Sequence, residues 1–181
     1  MTAFTQDQLG WEPWLEPLAE DELTDAHKQA LVDKARAGSP YFRLLARDPA
    51  ILHARTKTDN DIFYNADGGL PRAERELAAT ATSRSNGCVF CASVHSRFAS
   101  HHSKRTEDVQ RLLDEGVDAP QDARWRAIID FSATLTATPS EPDLRALREA
   151  GLDDLAILDA IQAAAFFNWA NRLMLSLGEP S

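Results

Sequence analysis

Helix-breaking residues divide this chain into segments with the apolar spacing of helices, and this division constrains the fold more than any other feature. Glycine or proline, often with a helix-capping residue, marks most segment ends. No stretch of convincing length alternates apolar and polar residues as a half-buried strand does. The sequence therefore predicts an all-α fold of about eight helices. The expected helical ranges are 24–37, 41–64 (one or two helices, with Pro49 in a first turn), 71–83, 88–101, 106–115, 121–137, 141–150 and 153–177.

Composition fits one domain that acts away from nucleic acids and membranes. The chain has 181 residues, 44% hydrophobic residues and a net charge of −9. An acidic surface repels phosphate backbones and anionic lipids, so neither is an expected partner. The first residues do not resemble a signal peptide and no segment is apolar enough to span a bilayer, so we expect a cytoplasmic protein.

The first twenty residues differ from the rest. They contain Trp11 and Trp14 together with Pro13 and Pro17, and the prolines disfavour a regular helix. We predict an N-terminal arm over 1–20, lying on its own domain or on a partner subunit, and a single helical domain over 21–181.

The two cysteines of the chain stand at the start of the helix predicted from residue 88. Cys88 and Cys91 are one turn apart, within reach of a disulfide, and His95 follows Cys91 at the i,i+4 spacing at which side chains meet. Phe90, which lies between Cys88 and Cys91, begins an apolar stripe that we expect to face the core. A helix N-terminus and an imidazole both favour a thiolate, and a second thiol can resolve its oxidation product.

A carboxylate that orients the histidine would complete such a site. The Asn86-Gly87 turn should fold the flanking helices into an antiparallel hairpin, and Glu76 then lies at a height similar to that of His95. Glu74 is also near enough, and the spacing does not separate the two firmly.

Other interpretations of the cysteines stay open at this point. A zinc ion needs four ligands in a tetrahedron, which one straight helix does not gather, so no metal is expected. A thioredoxin-like fold would place the motif after a strand, and no strand is predicted. A purely structural cysteine pair is the remaining alternative.

Read together, Glu76, Cys88, Cys91 and His95 form the pattern E-x11-C-x2-C-x3-H. This pattern resembles the signature of the alkylhydroperoxidase AhpD-like group in the carboxymuconolactone decarboxylase-like superfamily, with the peroxidase-related branch most similar. The flanking stretches "GLPRAERELAATATSRSNGCVFCASVH" and "AAAFFNWANRLMLSLG" add to the likeness, which covers roughly residues 40–178.

The resemblance implies an all-helical bundle with the CxxC motif at the start of a central helix, and a homo-oligomer that the N-terminal arm would help to form. It implies that Cys91 attacks a hydroperoxide and that Cys88, nearer the surface, resolves the product and meets the reductant. His95 and Glu76 would be the proton relay. The best-studied members have a second histidine just before the second cysteine, where this chain has Phe90.

The function expected from sequence is therefore a thiol-dependent hydroperoxide reductase. Its reductant would be an external dithiol, either a lipoyl domain or a thioredoxin-like protein, and it would need no haem or flavin. The alternatives are a disulfide reductase or relay with little peroxidase activity, a non-catalytic oligomeric binding protein, and a lactone decarboxylase-like lyase.

Overall fold

A computed structural model describes residues 3–137 and 144–181. Over these ranges it contains nine α-helices and one pair of short strands, which confirms the all-α class. The helices are α1 Asp25–Leu31, α2 Pro40–Leu45, α3 Pro49–Tyr64, α4 Arg72–Asn86, α5 Val89–Ser103, α6 Thr106–Glu115, α7 Ala123–Ala137, α8 Leu144–Glu149 and α9 Asp154–Leu177. The strands are β1 Trp11–Pro13 and β2 Gly178–Pro180, and short 3-10 helices span Glu20–Glu22 and Lys34–Gly38.

The helix boundaries follow the residues that predicted them. The Asp153 carboxylate accepts a hydrogen bond from the Ala156 N–H at 2.8 Å and so caps α9, the longest helix described. Asp48 caps α3 in the same way through the Ile51 N–H, at 3.1 Å. Gly87 ends α4 with a φ of 76°, a left-handed conformation that a residue without Cβ adopts at little cost.

Two boundaries near the start of the chain and at the motif differ from prediction, and a third cannot be compared. The first helix ends at Leu31 rather than near residue 37, because Val32 takes a φ of 63° and the chain continues into a 3-10 turn. Cys88 is the N-cap of α5 rather than its first helical residue. The predicted 141–150 helix begins outside the described residues, and its described part is α8.

Helix α4 lies at the centre of the bundle and packs against α5, α7 and α9. Every residue of α4 from Glu74 to Ser83 is buried. Small residues make this close packing possible, since Ala78, Ala79 and Ala81 are fully enclosed on α4 while Ala92 and Ala99 are fully enclosed on α5. The motif therefore begins a helix that packs on the central helix, as expected.

The N-terminal arm packs on its own chain. Strand β1 pairs antiparallel with β2, so the two ends of the chain meet. Trp11 is 7% exposed and its ring meets the edge of Tyr41 at 5.4 Å. A Cβ at Gly178 would overlap the Trp11 ring and the Glu12 carbonyl, so this position needs glycine.

Trp11 thus lies on its own domain, one of the two alternatives given for the arm, because the β1–β2 pair directs that side chain into the core. Contact of the arm with another subunit stays a prediction. Trp14 is 59% exposed and stays available to a partner. Nearer the start of the arm, Ser93 of α5 donates a hydrogen bond to the Asp7 carbonyl at 2.6 Å, and Ser100 donates one to the Gln6 side chain at 2.5 Å. The arm thus covers the outer face of α5.

Candidate active site

The α4–α5 hairpin brings together the two residues that sequence spacing paired. Glu76 Oε2 lies 2.6 Å from His95 Nδ1. Glu74, the alternative carboxylate, instead makes a two-pronged ion pair with Arg124 of α7, at 2.7 and 2.8 Å. The structure thus separates two candidates that the sequence left open, because side chains two residues apart on α4 point in different directions.

A third residue holds the carboxylate. Arg72 Nε donates to Glu76 Oε1 at 2.7 Å, one helical turn away on α4. Its guanidinium lies 4.1 Å from the centre of the Tyr64 ring, which fixes it over that face. Glu76 is almost completely buried, and Arg72 supplies the cation that a buried carboxylate needs as a partner.

The surroundings of His95 define its orientation and its tautomer. The imidazole stacks on Phe63 at 5.1 Å and meets the edge of Phe167 at 4.1 Å, which leaves it little freedom to rotate. An ionised Glu76 can only accept at Nδ1, so Nδ1 carries the proton and Nε2 is the acceptor of the neutral ring. His95 can therefore act as a base through Nε2 and, once protonated, as an acid.

The two cysteines are free thiols that share a hydrogen bond. Hydrogen bonds from the side chain and backbone N–H of Cys91 lower the pKa of Cys88, and the Asn171 amide acts in the same direction. That same bond between the thiols, with burial and the charge of Cys88, raises the pKa of Cys91. The first proton lost from the pair is therefore that of Cys88, whereas the sequence favours a thiolate without deciding between the two sulfurs.

Exposure also differs from expectation. Cys88 is 1% exposed and Cys91 is 6% exposed, so Cys88 is not the more superficial thiol of this protomer. The N-cap position explains this, because Cys88 N–H bonds to the Ser83 carbonyl at 2.9 Å and holds the residue against the end of α4. Of the two sulfurs, Cys91 is the one that lines a cavity.

That cavity measures about 250 Å³ and also receives His95, Glu76 and Arg72. Phe90, Val94 and Phe98, the stripe predicted to face the core, instead form part of its wall, since α5 turns its small residues toward α4. The complete lining is Ser39, Tyr41, Phe42, Arg55, Asp59, Phe63, Tyr64, Arg72, Glu76, Phe90, Cys91, Val94, His95, Phe98, Phe167, Ala170 and Met174.

Asn171 of α9 was missed by sequence reasoning. It is completely buried, donates to Ser83 Oγ at 3.1 Å and accepts from the Asn86 amide at 3.1 Å, besides bonding to the thiols. The available signal was a pair of polar residues at the end of an apolar stretch: Asn168 lies inside the run 155–170, and Asn171 directly follows it. Arg72, one turn before Glu76, was likewise a recognisable i,i+4 pair.

Among residues 3–137 and 144–181 the structure has no group of three or more histidine, cysteine, aspartate or glutamate side chains arranged to hold a metal ion. Within the same ranges, no helix combines the length and apolar character needed to cross a membrane.

The fold and this geometry together define an all-helical protein with a buried dithiol beside a glutamate–histidine pair. A carboxymuconolactone decarboxylase family model matches residues 49–134, which run from α3 into α7 and include all four motif residues. No curated protein gives a significant match.

Two solved structures described as peroxidase-related resemble the chain over most of its length. One, an alkylhydroperoxidase AhpD core protein from Ralstonia eutropha JMP134, is 26% identical with a TM-score of 0.76, covering 91% of this chain and 90% of its own. The other, from Silicibacter sp. TM1040, is 27% identical with a TM-score of 0.71, covering 92% and 88%. These matches support assigning the chain to the AhpD-like and carboxymuconolactone decarboxylase superfamily, as the motif predicted.

The debrominase Bmp8 has the same fold at lower identity. Its apo structure is 16% identical to this chain with a TM-score of 0.70, covering 90% of this chain and 89% of its own. A second Bmp8 structure is a complex with 2,3,4-tribromopyrrole. The likeness of this chain to Bmp8 is therefore one of fold.

Proposed function

We propose that the protein is a thiol-dependent hydroperoxide reductase in which Cys91 is oxidised and Cys88 closes a disulfide. The observation that carries the proposal is that only one of the two cysteines, Cys91, lies in the cavity wall. Cys91 lines the cavity beside His95 and Glu76, while Cys88 lies behind it at hydrogen-bonding distance. A substrate in the cavity would thus meet one sulfur and one proton donor.

The first step is attack by the Cys91 sulfur on the distal peroxide oxygen. The Cys91 proton passes along the shared hydrogen bond to the Cys88 thiolate, so Cys88 acts as the immediate base. An S–O bond forms, the O–O bond breaks, and the leaving alkoxide takes up one proton, which enters from solvent and is delivered through His95 Nε2. The products are Cys91 sulfenic acid and an alcohol.

The second step forms the disulfide. Cys88, now a thiol, gives its proton to His95 and attacks the sulfenic sulfur. Hydroxide leaves and takes that same proton from His95 to become water, while the S–S bond forms. For a pair that starts as one thiol and one thiolate, the sum is hydroperoxide plus one proton giving disulfide, alcohol and water.

An external dithiol must then restore the pair. Both sulfurs are buried, so a dithiol on a slender flexible arm, such as a lipoyl group, reaches Cys91 through the cavity more easily than a thioredoxin-like protein does. We therefore favour a lipoyl domain over a thioredoxin-like partner. A homo-oligomer in the cytoplasm remains part of the proposal.

A disulfide reductase with little peroxide chemistry is the second candidate. Phe90 favours it, because an apolar ring lines the cavity where the best-studied members have a second histidine. Bmp8, at 16% identity, is similar in fold alone and adds no substrate to the proposal.

Turnover on two substrates tests the proposal and separates the candidates. The reduced protein is given cumene hydroperoxide or an oxidised lipoyl domain, with Cys91→Ser and Cys88→Ser as variants. We expect peroxide turnover that either variant abolishes. Parent-like peroxide consumption by Cys91→Ser would sink the proposal, and turnover on the lipoyl disulfide alone would favour the second candidate.

A further inference from the structure

We propose that the cavity selects hydroperoxides that carry a carboxylate, with the carboxylate at Arg55 and the peroxide at Cys91. This inference names the substrate class of the proposed reductase and so rests on that function. It comes from a buried charge that takes part in no proposed step, although it acts to lower the pKa of Cys91.

Arg55 projects from α3 into the wall of the cavity that Cys91 also lines. Its side chain is only 8% exposed. Nη1 donates to Asp59 at 3.2 Å, but the buried Nε has no hydrogen-bond partner among the described residues. A buried guanidinium with an unused donor is costly unless something polar meets it, and a carboxylate is the group it binds best.

The surrounding charges do not cancel Arg55. Asp59 is shared, since Arg36 also approaches it, at 3.4 Å. Arg36 is also acted on by the charge of Asp33, but Arg55 has a single ion-pair partner in the described part of the chain, Asp59, and shares it with Arg36. At the other end Arg72 is matched by Glu76 one to one. Of the two arginines in the cavity lining, Arg55 is therefore the less fully compensated, and an anion would be stabilised at its end.

The rest of the wall indicates what the anion is attached to. Rings from α2, α3, α5 and α9 form it, and the cavity holds about 250 Å³. Such a space fits a compact aryl or branched alkyl body rather than a long acyl chain. The Arg55 guanidinium lies 5.2 Å from the centre of the Phe42 ring, which orients the cation at the edge of the apolar wall.

The test compares cumene hydroperoxide with its 4-carboxylate and with the methyl ester of that acid. These share one reacting group and differ in charge. For the parent we expect kcat/KM about tenfold or more higher for the acid than for the ester, mainly through KM, as one charge-assisted hydrogen bond provides.

Two substitutions should move this preference in opposite directions. Arg55→Gln should bring the acid-to-ester ratio close to one, and Asp59→Asn, which removes the competing carboxylate, should raise it. Arg124→Gln is the control, because it removes an arginine paired with Glu74 outside the cavity lining. It should leave the ratio at the parent value.

Binding of unreactive analogues keeps the inference separate from the proposed activity. Titration calorimetry of the reduced protein should show tighter binding of 4-isopropylbenzoate than of neutral 4-isopropylbenzamide. Such binding without peroxide turnover would support the inference and sink the reductase. Peroxide turnover with equal acid and ester rates would overturn the inference and keep the reductase. Equal slowing of both substrates by Arg55→Gln would also overturn it, because the arginine would then act on the thiol.

Discussion

At the scale of single residues, one amide adds to the hydrogen bond between the thiols in lowering the pKa of Cys88. Asn171 is buried behind Cys88, where its hydrogen bonds favour the thiolate, and it is itself held by Ser83 and Asn86. A buried amide is stable only when its partners are in place, so this network also fixes the geometry of the sulfurs. Cys91 keeps its proton because Cys88 loses one first.

Replacement of Asn171 by leucine should raise the pKa of Cys88, since a hydrogen bond to the thiolate is lost. Peroxide turnover falls as pH drops through this pKa, so the acid limb of the pH profile should move to higher pH. The ultraviolet absorbance of the thiolate, titrated in the reduced protein, measures the shift directly.

Asn168→Leu is the matched control for that titration. Asn168 accepts from the same Asn86 amide, at 3.0 Å, and is not among the groups that shift the pKa of either thiol. It should leave the thiolate titration unchanged. An unaltered titration in Asn171→Leu would show that the amide does not act on the thiols.

At the scale of elements, the α4–α5 hairpin assembles the relay. The turn at Gly87 reverses the chain within two residues, and this reversal is why positions nineteen apart, Glu76 and His95, come to 2.6 Å. The left-handed conformation of Gly87 makes the turn, and Cys88 follows it directly as the cap of α5.

Gly87→Ala should lower the free energy of unfolding by about 1 kcal/mol, because alanine adopts a φ of 76° only at a steric cost. Urea denaturation measures the loss. Gly38→Ala is the control, since its φ is not positive and a Cβ there would meet no atom within 4 Å. A smaller loss at Gly87 than at Gly38 would contradict the account of the turn.

The sequence could predict this hairpin because its signals are local. Caps, glycine turns and i,i+4 pairs act within one or two helices, so the sequence predicts Cys88, Cys91 and His95 as one group and offers Glu76, with Glu74, as its carboxylate. Contacts between segments that are distant in sequence leave no such local pattern. Asn171 reaches the cysteines from α9, and its role therefore appeared only once the helices were packed.

At the scale of the whole molecule, the two ends of the chain meet and cover the motif helix. The β1–β2 pair joins residues 11–13 to 178–180, and Trp11 anchors it on Tyr41. The composition of the first twenty residues predicts an arm but not where the arm lies, because pairing between strands at opposite ends of the chain depends on long-range contacts. The outward side of the arm presents Trp14.

Trp11→Ala should destabilise the protomer by about 3–5 kcal/mol, as loss of a buried aromatic ring does. Trp14→Ala should change the free energy of unfolding of the protomer by less than about 0.5 kcal/mol. If the arm contacts another subunit, sedimentation should show a smaller assembly for Trp14→Ala. An unchanged assembly would count against that contact, and equal stability losses in the two variants would contradict the packing of Trp11.

The central claim is that Cys91 is oxidised from the cavity and Cys88 resolves it. Its most direct measurement is the intact mass of the reduced protein after one equivalent of cumene hydroperoxide. The account predicts loss of two hydrogens in the parent, gain of one oxygen in Cys88→Ser and no change in Cys91→Ser. A parent mass that stays unchanged, or oxygen gained by Cys91→Ser in place of Cys88→Ser, would contradict it.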